Sequence, residues 1–383
     1  MAHIPLAWLQ LVREKLRLLA ALAGISFSAM LMLMQLGFRD ALFDSAVLVH
    51  ESLRGDLVLM SPMYAYLAST RTFTQRRLYQ ALAVDGVESV APLYLSLGTW
   101  KNPDTRRESL ILAFGIDAHA RPFDLPGLDE SLRNADLPEA VLLDSKSRPE
   151  VGPVAQWNRE RREVVTEVNG HRVKVRGFFE LGTSFGVNAS IVTGETNFLR
   201  IFTQRSRGLI DLGVITLRKG TDPDAVAARL ATVLPPDVRV MTRTRFSEYE
   251  KSYWARNSPV GFIFNLGTLM GLIVGAVIVY QILYSDVTDH LAEYATLKAM
   301  GYSDRRLFTI VAQEALILSA LGYVPGFLIA QGLYSLTYKA TFLPIFMTTN
   351  RGILVFVMTV LMCLGAGGLA MRKLRTADPA EVF

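Results

Sequence analysis

Hydrophobic positions along this chain follow two rhythms. Four long runs are almost free of charge, whereas the stretch between the first and second breaks into short apolar segments separated by polar turns. Leu18 to Phe38 is uncharged over 21 positions and bounded by Arg17 and Arg39. As a helix it would measure about 31 Å, enough to cross the hydrocarbon of a bilayer. Asn257 to Ser285 and Gly352 to Met371 are likewise uncharged, and Ala315 to Tyr338 follows a single acid, Glu314. The predicted fold class is an α-helical membrane protein with four transmembrane helices plus a large extracytoplasmic α+β domain. Its expected parts are an amphipathic elbow helix at 1–17, spans at 18–38, 257–285, 307–338 and 352–371, and the extracytoplasmic domain at 39–256. A charged helix and loop at 286–306, a short outside loop at 339–351 and a tail at 372–383 complete the division.

Between the first two spans, Leu57 to Met60, Val87 to Leu97, Leu110 to Ile116, Val173 to Phe179 and Leu212 to Leu217 read as strands. Phe73 to Val84 and Asp222 to Leu234 read as helices, the second opened by a cap and a proline in Thr221-Asp222-Pro223. Leu212 to Met241 therefore has a strand, helix, strand order. Proline and polar residues gather at Arg121 to Pro138 and Lys146 to Pro153, the expected loops or subdomain boundaries. The only cysteine, Cys363, lies in the fourth run. No disulfide within the chain is available, and the domain is held by packing.

Basic residues orient the spans. Arg13, Lys15 and Arg17 precede the first, Lys298, Arg305 and Arg306 lie between the second and third, and Arg372, Lys373 and Arg375 follow the fourth. With four spans all three groups fall on one side, which is expected to be cytoplasmic, as are both termini. The net charge of +5 thus belongs beside membrane lipid and gives no reason to expect nucleic acid. Ile4 to Arg17, with Pro5 at its start and Trp8, Leu9, Val12 and Leu16 on one side, reads either as an interfacial elbow helix or as a simple cytoplasmic extension of the first span. Leu18 to Phe38 is longer than the core of a signal peptide, and no small-x-small site follows the run before the charged Arg39-Asp40 pair, so an anchor is expected.

Catalytic patterns are missing from the sequence. Lys146-Ser147 and Lys251-Ser252 are not preceded by the glycine of a phosphate loop. His3, His50, His119, His171 and His290 have no metal-like spacing, and no G-x-S-x-G elbow occurs. The chain is expected to be no enzyme and to hold no cofactor or metal. Glu314 has two readings, a transmitter of motion at a helix end or an interfacial carboxylate that snorkels. Gly267, Gly271 and Gly275 form a double G-x-x-x-G ridge, suited either to a dimer seam or to packing within one bundle. Gly322, Pro325 and Gly326 suggest a kink.

Asp286 to Ser303 is a short charged segment pinned between two long apolar runs. Leu291, Tyr294, Leu297 and Met300 recur every three residues, and Gly301 would end the helix. The run through Glu293, Tyr294, Leu297, Lys298, Met300, Gly301 and Ser303 resembles the E-I-G-x-L-[KR]-A-[LI]-G-x-[ST] signature of FtsX-like and MacB-like ABC permeases. Gly177 to Gly186, Pro5 to Gln10, Arg39 to Asp44 and Arg375 to Glu381 further resemble the DevC-type subgroup, so that both ends, the charged segment and part of the outside domain are covered.

That resemblance implies a permease subunit in a bacterial inner membrane. It implies that Glu293, Tyr294, Leu297, Lys298, Met300 and Gly301 form the coupling helix seated on a separate DevA-like ATPase, which alone binds ATP. It further implies a homodimer with Gly267, Gly271 and Gly275 at its seam, a DevB-like periplasmic adaptor and, through it, a TolC-like outer-membrane channel, in efflux of a lipid-like or other hydrophobic cargo. Two related readings remain open, a Lol-type lipoprotein-release permease and an FtsX-like regulator of a cell-wall hydrolase. Few intramembrane charges favour helices that carry displacement over a polar tunnel.

Overall fold

The computed structural model describes residues 15–184, 186–290, 296, 300 and 304–376. It divides into two units, one made of the chain up to Ala41 and from Pro259 onward, the other of Leu42–Ser258.

The first unit is helical. Helices α1 (Lys15–Glu51), α8 (Pro259–Asp289), α9 (Asp304–Thr341) and α10 (Thr349–Thr376) are each long and apolar enough to cross a membrane. Helix α1 outruns the expected first span and continues as one helix past Ala41 into the second unit. The loop expected at 339–351 is confined to 342–348, because α9 and α10 extend beyond their uncharged runs. Pro325 lies inside α9 without interrupting it. The neighbouring Gly322 and Gly326 serve close approach to α1: a Cβ at Gly326 would lie 2.5 Å from the Ser26 carbonyl oxygen, and Ser26 Oγ donates to the Gly322 carbonyl at 2.8 Å.

The second unit is the α+β domain. Its strands are β1 (Leu57–Met60), β2 (Phe73–Thr74), β3 (Val87–Lys101), β4 (Glu108–Ile116), β5 (Ala140–Asp144), β6 (Val165–Val168), β7 (His171–Phe179), β8 (Ala189–Gly194), β9 (Leu209–Ile210), β10 (Leu212–Leu217) and β11 (Arg239–Thr242). Its helices are α2 (Arg76–Leu82), α3 (Leu128–Ala135), α4 (Val154–Arg159), α5 (Glu195–Ile201), α6 (Pro223–Val233) and α7 (Arg243–Asn257). Nine strands form one sheet in the order β11-β1-β10-β3-β4-β8-β5-β7-β6. The sheet closes partly on itself, since the far end of β3 also pairs with β6, with Trp100 opposite Val168. Strands β4 and β8, and β5 and β7, run parallel. Two apolar layers cover opposite faces: Leu59, Tyr94, Ile111 and Ile191 point into one, and Met60, Leu93, Leu112 and Val192 into the other. Burial on both faces explains why β1, β5 and β8 lack hydrophobic alternation.

Five expected strands are present, and β3 extends the expected Val87 to Leu97 by four residues to Lys101. One expected helix begins late. Phe73 and Thr74 pair with Ile210 and Leu209 as strands, and the helix starts only at Arg76, because the backbone of these two residues is taken up by β9. The expected cap of α6 forms: Asp222 Oδ1 accepts from the Asp224 amide at 3.1 Å. Strands β10 and β11 flank β1, so the strand, helix, strand unit skips one position in the sheet.

Candidate functional site

One end of the helical unit carries a polar cluster around the entry and exit of the charged segment. Asp286 and Asp289 close α8, and Arg17 lies near the start of α1. Arg17 donates through Nη2 to Asp289 Oδ2 at 2.6 Å, and its Nη1 is 3.7 Å from Asp286 Oδ1. His290 Nδ1 approaches the Asp286 carbonyl at 3.0 Å. On α9, Glu314 is 1% exposed, neither carboxylate oxygen has a hydrogen-bond partner among the described residues, and Asp286 lies within electrostatic range. Burial of this depth rules out the snorkelling reading of Glu314 within this chain.

Of the coupling residues, only Met300 is described. Its amide donates to the Thr296 carbonyl at 3.0 Å, one α-helical turn, and its side chain is 63% exposed. Glu293, Tyr294, Leu297, Lys298 and Gly301 lie outside the described residues, as does most of the elbow helix at 1–14.

The glycine ridge faces this chain's own helices. A Cβ at Gly267 would meet Gln35 at 2.5 Å, one at Gly271 would meet Met32 at 3.2 Å, and one at Gly275 would meet Ser28 Oγ at 2.3 Å and Met362 at 2.5 Å. Ser28 Oγ also donates to the Gly271 carbonyl at 2.6 Å. The opposite side of α8 exposes Phe262, Leu266, Leu269, Met270 and Ile273.

At the other end of the unit, Arg351 of α10 reaches Asp40 of α1 with two nitrogens, Nε at 3.1 Å and Nη2 at 2.8 Å. Its Nη1 donates to the Phe346 carbonyl at 2.8 Å, and Tyr334 of α9 donates its hydroxyl to the Leu33 carbonyl. Three helices and the 342–348 loop therefore share one buried charge.

In the second unit a carboxylate joins the last turn of α1 to α7. Glu250, 1% exposed, accepts from the Tyr64 hydroxyl at 2.8 Å, the Leu67 amide at 3.1 Å and Trp254 Nε1 at 3.0 Å. His50 Nε2 lies 3.4 Å from Glu250 Oε2 and 3.3 Å from the Tyr64 hydroxyl. Burial, and then the Glu250 charge, push the Tyr64 phenol well above its ordinary value. A second carboxylate, Asp144 at the end of β5, accepts from the amides of Lys146, Leu181 and Gly182 and holds the stretch after β7 in place. Neither Glu250 nor Asp144 was marked by any local pattern, since their partners come from distant elements.

Residues 265–379 match the family of FtsX-like permease C-terminal domains. Residues 265–379 thus form an FtsX-like permease C-terminal domain. The match runs from α8 through the charged segment to α10, so the resemblance carried by Glu293 to Ser303 is borne out at the level of FtsX-like permeases. Solved structures similar to parts of the chain include the extracellular domain of the noncanonic ABC-type transporter YknZ from Gram-positive bacteria. It is 15% identical with a TM-score of 0.34, covering 49% of this chain and 99% of that one. The periplasmic region of MacB from Actinobacillus actinomycetemcomitans is 12% identical, TM-score 0.35, covering 52% and 94%. A domain of a putative permease from Porphyromonas gingivalis is 12% identical, TM-score 0.30, covering 49% and 88%. Likenesses this distant carry no argument about function. No curated protein matches the chain's sequence.

Proposed function

We propose that this FtsX-like permease domain belongs to the membrane subunit of a DevC-like, MacB-like ABC exporter, inserted in a bacterial inner membrane with both termini in the cytoplasm. The observation that carries the reading is the family match at 265–379, which contains the segment from Glu293 to Gly301 between two membrane-length helices. In this reading a separate DevA-like ATPase binds ATP and moves the coupling residues Glu293, Tyr294, Leu297, Lys298, Met300 and Gly301. Helix α1 passes the displacement on, since it runs unbroken from Lys15 to Glu51, and Glu250 ties its last turn to α7. Two copies of the chain act together, and a DevB-like adaptor leads a lipid-like or otherwise hydrophobic cargo to a TolC-like channel.

Purification of the full chain from its native membrane, followed by identification of what comes with it, tests this reading. An ATPase together with a periplasmic adaptor supports export. A lipoprotein chaperone in place of the adaptor would establish lipoprotein release, and a cell-wall hydrolase would establish regulation. Impermeant thiol reagents complete the test: cysteines replacing Asp104 and Lys219 react from outside and one replacing Thr376 does not.

A further inference from the structure

Within the helical unit, α9 and α10 flank a groove of about 490 Å³, with Met347 and Thr348 of the 342–348 loop at one end. Small-molecule sites enclose roughly 300–1,000 Å³. Tyr323, Phe327 and Gln331, one helical turn apart, form the α9 wall, and Thr349, Gly352, Ile353 and Phe356 form the α10 wall. Tyr323 fixes the floor. Its hydroxyl donates to the Gly352 carbonyl at 2.8 Å, and its ring meets Phe356 edge-on at 5.2 Å and Phe327 tilted at 5.8 Å. A Cβ at Gly352 would stand 3.5 Å from both Phe327 Cε2 and the Tyr323 hydroxyl, an ordinary contact, so a methyl fits and a longer side chain takes up groove space.

Polar groups gather at one end. Because Tyr323 meets Gly352 and Phe356, the next turns of α9 run toward the start of α10 and bring Gln331 to the end that holds Thr348 and Thr349. No lining residue is charged, and the neighbouring Arg351, 6% exposed, is committed to Asp40. Gln331 lies inside the uncharged run Ala315 to Tyr338, with seven more uncharged positions before Lys339. It is exposed, and its side-chain amide makes no hydrogen bond to any described residue. Water would satisfy such an amide on a soluble protein, but hydrocarbon cannot, and an unmet polar group there is costly. An occupant that is hydrocarbon over most of its length and carries a carbonyl at one end meets both walls. From Gln331 to Tyr323 the wall runs about 12 Å, comparable with the roughly 15 Å of hydrocarbon in one leaflet.

We propose that this groove seats one acyl chain of a bilayer phospholipid. The Gln331 amide donates to the ester carbonyl that joins chain to headgroup, and the chain lies over Phe327, Gly352 and Phe356. This rests on α9 and α10 spanning the membrane, and on neither export, cargo nor partner.

The test uses the full chain in nanodiscs of phosphatidylethanolamine and phosphatidylglycerol that hold a small share of phosphatidylethanolamine with an aryl diazirine in one acyl chain. After illumination, adducts mapped by mass spectrometry should concentrate on Phe327, Ile353 and Phe356 over Leu354 and Leu361, which are exposed on α10 outside the groove. Gln331→Leu removes the amide and keeps an apolar wall. It should lower groove labelling roughly five-fold, the effect of one neutral hydrogen bond, with Leu354 and Leu361 labelled as before. Gly352→Leu should abolish groove labelling, and Gly352→Ala should keep it. Groove labelling equal to that of Leu354 and Leu361, or indifferent to Gln331→Leu, overturns the proposal, since unspecific boundary lipid behaves that way. So does labelling of Leu354 and Leu361 with none in the groove, which would mean that protein covers it.

Discussion

Arg351 and Asp40 lie 311 positions apart in the chain and meet through two nitrogens on a single carboxylate oxygen. The other oxygen, Oδ1, accepts from Arg39 at 2.9 Å. One acid thus satisfies two guanidinium groups, and Arg351, 6% exposed, has little water to fall back on.

Removing the acid should therefore cost more than removing an ordinary surface pair. Asp40→Ala leaves the buried Arg351 charge with only the Phe346 carbonyl and the Tyr334 hydroxyl among the described residues. We expect a loss of about 3 kcal/mol, read as a lowered unfolding midpoint in detergent. Arg39→Ala, which removes the more exposed partner, should cost below about 1 kcal/mol. Equal losses would show that the two ion pairs are equivalent.

The Glu250 clasp predicts a local effect rather than a global one. Glu250→Gln keeps one acceptor oxygen but turns an NH2 group toward donors that need an acceptor, the Tyr64 hydroxyl or the Leu67 amide. Losing one such buried hydrogen bond to a charged group is worth about 1.5 kcal/mol or more, so amide exchange at Leu67 should quicken by roughly ten-fold. The Asn102 side chain, in a separate loop near Glu150, should keep its surroundings. Unchanged exchange at Leu67 would remove Glu250 from the role assigned to it.

How far the fold was legible in the sequence follows from where its information is stored. Membrane helices announce themselves because about twenty uncharged residues in a row leave no polar face to turn toward water, and α8, α9 and α10 appear where the uncharged runs lie. Their ends did not, because lengthening a helix past the apolar run, as from Phe38 to Glu51, depends on tertiary packing of residues such as Val47 and Val49. Strands β5 and β8 were missed because both their faces are buried, and a short unbroken apolar run has no period to read. The Arg351 and Asp40 pair, and the meeting of His50 with Glu250, lie beyond any window-based reading, since each joins residues hundreds of positions apart. The glycine ridge was visible as a ridge, but its partner could not be read from spacing alone.

Asp144 gives a pH dependence with a defined sign. Burial raises its carboxyl above the usual range, and the amides of Leu181, Lys146 and Gly182 only partly offset this. The folded chain thus binds a proton more readily here than the unfolded chain, whose aspartate titrates near about 3.9. Between that value and the raised one, stability contributed by Asp144 grows as pH falls and is lost as pH rises through the folded value. Asp144→Asn should remove this slope, so the difference in melting temperature between wild type and variant should widen on acidification across that window. A difference independent of pH would mean that Asp144 titrates alike in both states.

Leu297 and Met300 should be the apolar part of the ATPase contact. Met300 already shows the exposure such a contact needs before a partner arrives. Leu297→Glu with Met300→Glu should release the ATPase, an affinity loss of roughly 100-fold or more if both side chains are buried on binding. The permease itself should remain folded, with its melting temperature unchanged. Retained co-purification and retained stimulation of ATP hydrolysis would refute the assignment.

The glycine ridge carries the last prediction. Since Gly275 sits where a Cβ would be 2.3 Å from Ser28 Oγ and 2.5 Å from Met362 Sδ, a leucine there must push α8 away from both α1 and α10. Overpacking of this kind costs about 1–3 kcal/mol, and Gly275→Leu should melt earlier even as an isolated protomer, whereas Met270→Leu on the exposed side should be neutral. A second measurement separates packing within one chain from a seam between copies. At Gly24 an added Cβ would lie 3.4 Å from Ile278 Cβ, close to the separation of a disulfide. Gly24→Cys with Ile278→Cys in a Cys363→Ser background should therefore cross-link within one chain and migrate as a monomer. Cross-linked dimers, appearing together with a Gly275→Leu protomer of unchanged stability, would return Gly267, Gly271 and Gly275 to an interface between two copies.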